Sequence, residues 1–214
     1  MPKYKITFQL NCGVSFIDPP TFDSILAYAY FRENYVCNGT NFTTKSIEKV
    51  IDFSPMPINS HSDGYFLASQ VMYNTSAAKE NVQHWRKRWD VKHDHLADFC
   101  NQRRKIDSQR GEFKSYDTLI RIVSVPEVWF VFKSDNISEV ERLISKHIFA
   151  IGKKRAYGNG EITGFGIEQS DEPIIRQIPI REGLSGRVKF CTWRPPYWDT
   201  QYACPCIVCN VDTL

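Results

Sequence analysis

Along the first ten residues apolar side chains alternate with polar ones: Tyr4, Ile6, Phe8 and Leu10 are separated by Lys5, Thr7 and Gln9. That is the period-two signature of a strand with one buried face. After Asp18-Pro19-Pro20 the period lengthens. Phe22, Ile25, Leu26, Ala29 and Tyr30 fall on one face of a helix, and Thr21 is placed to cap it. From Val36 to about Gly64 the pattern loosens, punctuated by Asn38-Gly39 and Ser54-Pro55-Met56-Pro57 as loop. A short strand is expected at Tyr65 to Met72. Between Ala77 and Phe99 the spacing of Val82, Trp85, Trp89 and Leu96 predicts a polar, basic helix or two shorter ones.

Two strand-like runs follow, Tyr116 to Val123 and Val128 to Phe132, with Ser124-Val125-Pro126-Glu127 where a hairpin connection would lie. Ser134-Asp135-Asn136 supplies a helix start, Ile137, Val140, Leu143, Ile144 and Ile148 the buried stripe, and Gly152 a stop. Glycines at 158, 160, 164 and 166 then lead through Ile162, Phe165 and Ile167, an alternation broken once, as in a bulged strand. The order strand, helix, insertion, strand, strand, helix, strand is that of an α+β ferredoxin-like, RRM-like core. It would form a single domain over 1–214, with a basic helical region inserted at 36–113 and a C-terminal β extension at 174–214. In that extension Arg187 to Trp193 and Cys204 to Val211 are the strand candidates.

Composition adds little to this picture and removes some alternatives. The 214 residues are 42% hydrophobic and 24% charged, ordinary for a folded domain and inconsistent with disorder as the default state. No apolar run reaches the length of a membrane span, and the alternating N-terminus is no signal-peptide core, so the chain is read as soluble, intracellular and cytoplasmic, without a membrane partner. The sequons at Asn38 and Asn41 then carry no glycan, and the 7 cysteines are most simply free thiols.

The net charge of +3 is too mild to identify a partner, but its distribution is informative. Arg86, Lys87, Arg88, Lys92, Arg103, Arg104, Lys105 and Arg110 crowd one region, and Lys153-Lys154-Arg155 lies in a glycine-rich segment. A charge run is commonly a solvated face. Here aromatics accompany both clusters, Trp85 and Trp89 in the first and Tyr157 in the second. Cations neutralise phosphates while flat rings stack on unpaired bases, so the combination points to a single-stranded nucleic acid. On the predicted helix Trp85 and Trp89 would share a face, either as core anchors or as a stacking platform. Gly152-Lys153-Lys154-Arg155-Ala156-Tyr157-Gly158-Asn159-Gly160 is no P-loop, because its basic residues follow a helix and precede a strand. It offers instead a flexible basic loop whose main chain can come close to a phosphodiester backbone.

That loop, with its flanking helix and strand, resembles the glycine-rich loop of the RAMP superfamily of CRISPR proteins. Phe22-Asp23-Ser24-Ile25-Leu26-Ala27 is similar to the segment opening the first helix of that superfamily, with Phe22 where leucine is common. Gly111-Glu112-Phe113-Lys114-Ser115-Tyr116 and Val123-Ser124-Val125-Pro126 resemble the approach to its middle hairpin. Arg194-Pro195-Pro196-Tyr197-Trp198 resembles the C-terminal region of the small, Cas-family-five-like subunit of type IV CRISPR effector complexes. The resemblance implies a subunit that clasps the 5′ handle of the guide RNA (crRNA) and caps the filament of backbone RAMP subunits. A large subunit, and target DNA through the complex, would be its further partners. It places Gly152, Lys153, Lys154, Arg155, Tyr157, Gly158 and Gly160 at the handle. Trp85, Arg86, Arg88, Trp89, Arg103 and Arg104 are assigned to RNA on charge and stacking grounds alone.

Some relatives cut the precursor RNA, so an endoribonuclease is the alternative, and an RNA-binding domain unrelated to CRISPR is a third reading. Metal-independent cleavage needs a base and an acid, for which His84, His93, His95, Tyr28, Tyr30 and Tyr157 are candidates. No spacing among them marks a base with its orienting partner, and a non-catalytic role without cofactor is expected. Cys204, Cys206 and Cys209, with Cys191 or Cys12 as a fourth thiolate, could hold zinc. Their spacing departs from paired Cys-x-x-Cys knuckles, and Ile207 and Val208 fit a buried strand equally well.

Overall fold

The computed structural model describes residues 1–16, 18–36, 51–88, 90, 92, 109–110, 114–181, 186–197 and 199–213. Its elements in chain order are β1 (Lys3–Leu10), α1 (Phe22–Phe31), β2 (Lys79–Lys87), β3 (Tyr116–Ser124), β4 (Glu127–Lys133), α2 (Ile137–His147), β5 (Ile162–Gln169), β6 (Ile175–Pro179), β7 (Val188–Thr192) and β8 (Ala203–Asn210). None of the helices described is long and apolar enough to cross a membrane.

The alternation in β1 places Ile6 and Phe8 on one face, and both are fully buried. β1 runs antiparallel between β4 and β5, with Ile6 opposite Phe130 and Ile167, and Phe8 opposite Val128 and Phe165. The ring of Phe22, at the start of α1, lies 5.7 Å from that of Phe130 and 4.5 Å from that of Phe132. Leu26 of α1 and Val140, Leu143 and Ile144 of α2 complete this core. The register of β1 and β5 shifts between Gln9 and Leu10, the irregularity that the glycine-broken alternation predicts. Along the outer flank of β4 run residues 65–72, where a strand is expected and isolated bridges are found, Ala68 to Phe132 and Met72 to Trp129. The resulting order, β5, β1, β4 and then this segment, with both helices on one face, is consistent with the ferredoxin-like core.

Two local expectations are corrected. Residues 79–87 are not helical; β2 pairs along its whole length with β3, from Lys79 opposite Ser124 to Lys87 opposite Tyr116. Every residue of β2 except Trp85 is exposed, so both faces of this strand meet water and no period-two pattern is imposed on its sequence. Nor do β3 and β4 form a hairpin. They belong to different sheets, and the link between them is tied to the core where the Leu10 amide donates to the Pro126 carbonyl (2.9 Å).

Thr21 stands at the N-cap of α1, but its side chain makes no capping bond; its hydroxyl bonds the Tyr197 hydroxyl at 3.1 Å. Asn136 does cap α2, accepting from the Glu139 amide (3.2 Å). The two helices are joined by Glu33, in the turn after α1, whose carboxylate meets Arg142 (2.9 Å), Lys146 (2.8 Å) and His147 (2.6 Å) on α2. Hydrogen bonds from Lys146, then His147 and Arg142, hold its pKa at about 2 against an ordinary 4.5. A depressed carboxylate contributes stability that is complete above the unfolded value and disappears as pH falls through the folded one. The melting temperature of Glu33→Gln is therefore expected to lie below wild type at neutral pH, with the gap closing between 4.5 and about 2.

The C-terminal sheet, in the order β6, β8, β7, supplies the two strands the sequence predicts and a third, β6, that it does not. It closes a second small core of Tyr65, Leu67, Val131, Ile174, Ile178, Ile207 and Val211. Between the two cores lies Arg176 of β6, fully buried, as is Asp23 of α1. Arg176 donates to the carbonyls of Phe66 and Trp193 and faces Asp23 at 3.5 Å, while the Tyr197 hydroxyl donates to the same carboxylate. Burial, with the Asp23 charge beside it, pushes the Tyr197 phenol well above its ordinary 10.0, so it remains a donor. Two segments singled out by resemblance thus meet in the interior.

Candidate nucleic-acid interface

The glycine-rich loop is closed at its neck. The Ile151 amide donates to the Gly160 carbonyl (2.9 Å), and the Gly160 amide to that of Gly13 (2.9 Å), on the turn after β1. Gly160 adopts φ +67°, and a Cβ there would stand 1.9 Å from the Ile151 carbonyl oxygen. At Gly152, φ +88°, a Cβ would stand 2.6 Å from the Ser15 carbonyl oxygen, to which the Lys153 amide is bonded at 2.8 Å. Glycine is required at both positions by geometry and by close approach of main chain. Between them Arg155–Tyr157 form one 3-10 turn preceded by Lys154 in the left-handed region. The Gly158 carbonyl accepts from the Cys12 thiol.

This arrangement projects the basic side chains from a fixed base. Lys153, Arg155 and Tyr157 are exposed. The Arg155 guanidinium sits 4.9 Å from the centre of the Tyr28 ring on α1. The Lys154 ammonium lies 4.5 Å from the Trp85 ring and 5.7 Å from the Tyr157 ring, and those rings meet edge to face at 4.1 Å. Trp85 Nε1 donates to the Tyr116 hydroxyl across the ribbon (2.9 Å). Beneath these side chains is an open cleft of about 570 Å³ whose walls include Ser15, Phe16, Trp85, Tyr116, Lys153 and Lys154. Trp85 of the first cluster and Lys154 and Tyr157 of the second, far apart in sequence, here meet on one surface. Trp85 is half-buried and belongs to neither hydrophobic core, which separates it from the core-anchor reading.

Arg86 of the first cluster is not gathered there. On a strand, neighbours of Trp85 point to the opposite face, and Arg86 and His84 both engage Asp117, at 2.8 and 3.0 Å. Hydrogen bonding from His84, then from Arg86, holds the Asp117 carboxyl below its ordinary range. Asp117 has no signal in the sequence, because its partnership depends on the β2–β3 register. Arg88 is exposed just beyond β2. Trp89, Arg103, Arg104, His93 and His95 lie outside the described residues.

The cysteines of β8 form a strand. Cys204 is opposite Cys191, its sulfur 3.7 Å from that of Cys206, while Cys209 is opposite Arg176 and Cys12 is at the loop. Burial raises the thiols of Cys191, Cys206 and Cys209. Among the described residues no group of three histidine, cysteine or acidic side chains is placed to hold a metal ion.

Comparison with known proteins gives a match to a protein family. The family is described as CRISPR type IV associated protein Csf3, and its model matches residues 3–209. No curated protein matches the chain.

Proposed function

The chain belongs to the Csf3 family of CRISPR type IV associated proteins, and from that premise we propose that it is a non-catalytic RAMP subunit that binds the 5′ handle of the crRNA and caps the backbone filament of a type IV effector complex. The observation that carries this reading is the convergence of Lys154, Trp85 and Tyr157 at the mouth of the cleft, with Lys153 and Arg155 exposed beside them. Phosphate oxygens meet cations held on a rigid turn, and unpaired bases meet ring surfaces. The endoribonuclease alternative gains one feature, the contact of His84 with Asp117, which could orient a general base. By strand alternation that pair projects from the side of β2 opposite Trp85, the ring that meets the loop.

Replacing Lys153, Lys154 and Arg155 by alanine tests the reading. Every phosphate of a single strand that is no longer neutralised flattens the slope of log affinity against log salt by about 0.7, so the triple variant should bind repeat-derived RNA more weakly and with a slope smaller by about 2. The same incubations should leave the RNA intact with or without divalent metal. A folded triple variant with unchanged affinity and slope would exclude the loop, and site-specific cutting abolished by His84→Ala would favour the nuclease.

A further inference from the structure

A second open cleft, of about 530 Å³, adjoins the one under the basic loop and is lined by Phe16, Tyr73, Arg121 and Trp129, among others. Phe16 and Arg121 line both, so the two depressions are neighbours. The chemistry also continues. Arg121 lies on the exposed ribbon, its guanidinium positioned by an ion pair with Glu80. Phe16, Tyr73 and Trp129 are each half-buried, their inner parts packed against the two cores. Trp129 is further fixed by a hydrogen bond from its indole N–H to Glu172 (3.1 Å) and by the Lys5 ammonium 4.9 Å from its ring. Tyr73 and Arg121 both line this second cleft.

We propose that this second cleft is a further nucleotide subsite, in which the same single strand that crosses the basic loop passes Phe16 and places an unpaired base against Tyr73, with a phosphate at Arg121. The proposal rests on the RNA-binding reading and extends it in length: a strand long enough to cover both clefts binds more tightly than one that fills the first alone. Sequence recognition is not required, since every base presents a flat face to a ring.

The test compares short and long oligouridylates on wild-type protein and on Tyr73→Leu, which keeps apolar bulk and removes most of the stacking. Affinity of the wild type should rise with length. Tyr73→Leu should leave the short oligonucleotide unaffected and bind the long one about tenfold more weakly, the loss of one modest stack. Photo-crosslinking of a long 4-thiouridine oligonucleotide to unaltered protein should label residues 70–75, which keeps the test independent of how the variant folds. Equal length dependence in both proteins, with no label at 70–75, removes the second subsite and leaves the first standing. A wild type that binds neither oligonucleotide overturns the RNA reading together with this extension of it.

Discussion

Asp23→Ala is expected to lower the stability of the whole chain by about 3–5 kcal/mol, because it leaves the Arg176 guanidinium charged and unpaired in the interior. Both side chains are completely shielded from solvent, and once the carboxylate is gone Arg176 is left with neutral partners, main-chain carbonyls and the Tyr65 ring among them. An arginine cannot escape by losing its proton. The denaturant midpoint should fall without a change in slope, since the surface exposed on unfolding is the same. Removing both charges, as Asp23→Leu with Arg176→Met, should cost much less than the sum of the single changes, which is the mark of direct coupling in a double-mutant cycle. A shift below about 1 kcal/mol for Asp23→Ala would mean that the pair is not desolvated.

Gly160→Ala is the second large effect, and it acts on the site. The added methyl would stand 1.9 Å from a main-chain oxygen, which cannot rotate aside as a flexible side chain could. The residue must also hold φ +67°, at a cost of roughly 1 kcal/mol for any side chain. Forced overpacking adds about 1–3 kcal/mol unless the neck opens. If it opens, the hydrogen bonds from Ile151 to Gly160 and from Gly160 to Gly13 break, and Lys153, Lys154 and Arg155 no longer project from a fixed base. RNA affinity should therefore fall together with thermal stability. A variant of wild-type melting temperature and RNA affinity would show that the neck has room to spare.

What the sequence makes visible depends on whether one face of an element is buried. β1, α1 and α2 each have one face on the core, and their periodicities, together with the Asn136 cap, place them to within a residue or two. β2 has no such face. Its two apolar residues, Val82 and Trp85, are spaced by three and imitate a helix. The separation of β3 from β4 is equally hidden, because a short link containing Pro126 reads the same whether the chain turns back or crosses to another sheet. Burial of Arg176 runs against hydropathy altogether, and only Asp23 and Tyr197, from α1 and the C-terminal extension, explain it. At the site, both basic and aromatic clusters are legible, and the glycines signal a closely approached loop. Their junction is not, because the meeting of Trp85 with Tyr157 requires the ribbon, and the pattern over the ribbon predicts a helix.

The central position of β1 bears on how the protein is made. Of the elements described it is synthesised before the others, yet its partners are β4, with Lys3 opposite Lys133, and β5, with Tyr4 opposite Gln169. At the usual elongation rate of about 5–20 residues per second, its two edges and the apolar face carrying Ile6 and Phe8 wait about 10–30 s for the last of these strands to be synthesised. During that interval the nascent chain carries an unpaired, half-apolar strand, the kind of segment that chaperones shield and that neighbouring nascent chains can capture. Yield in overexpression should therefore respond to chaperone supply and to elongation speed, even where the finished protein is stable.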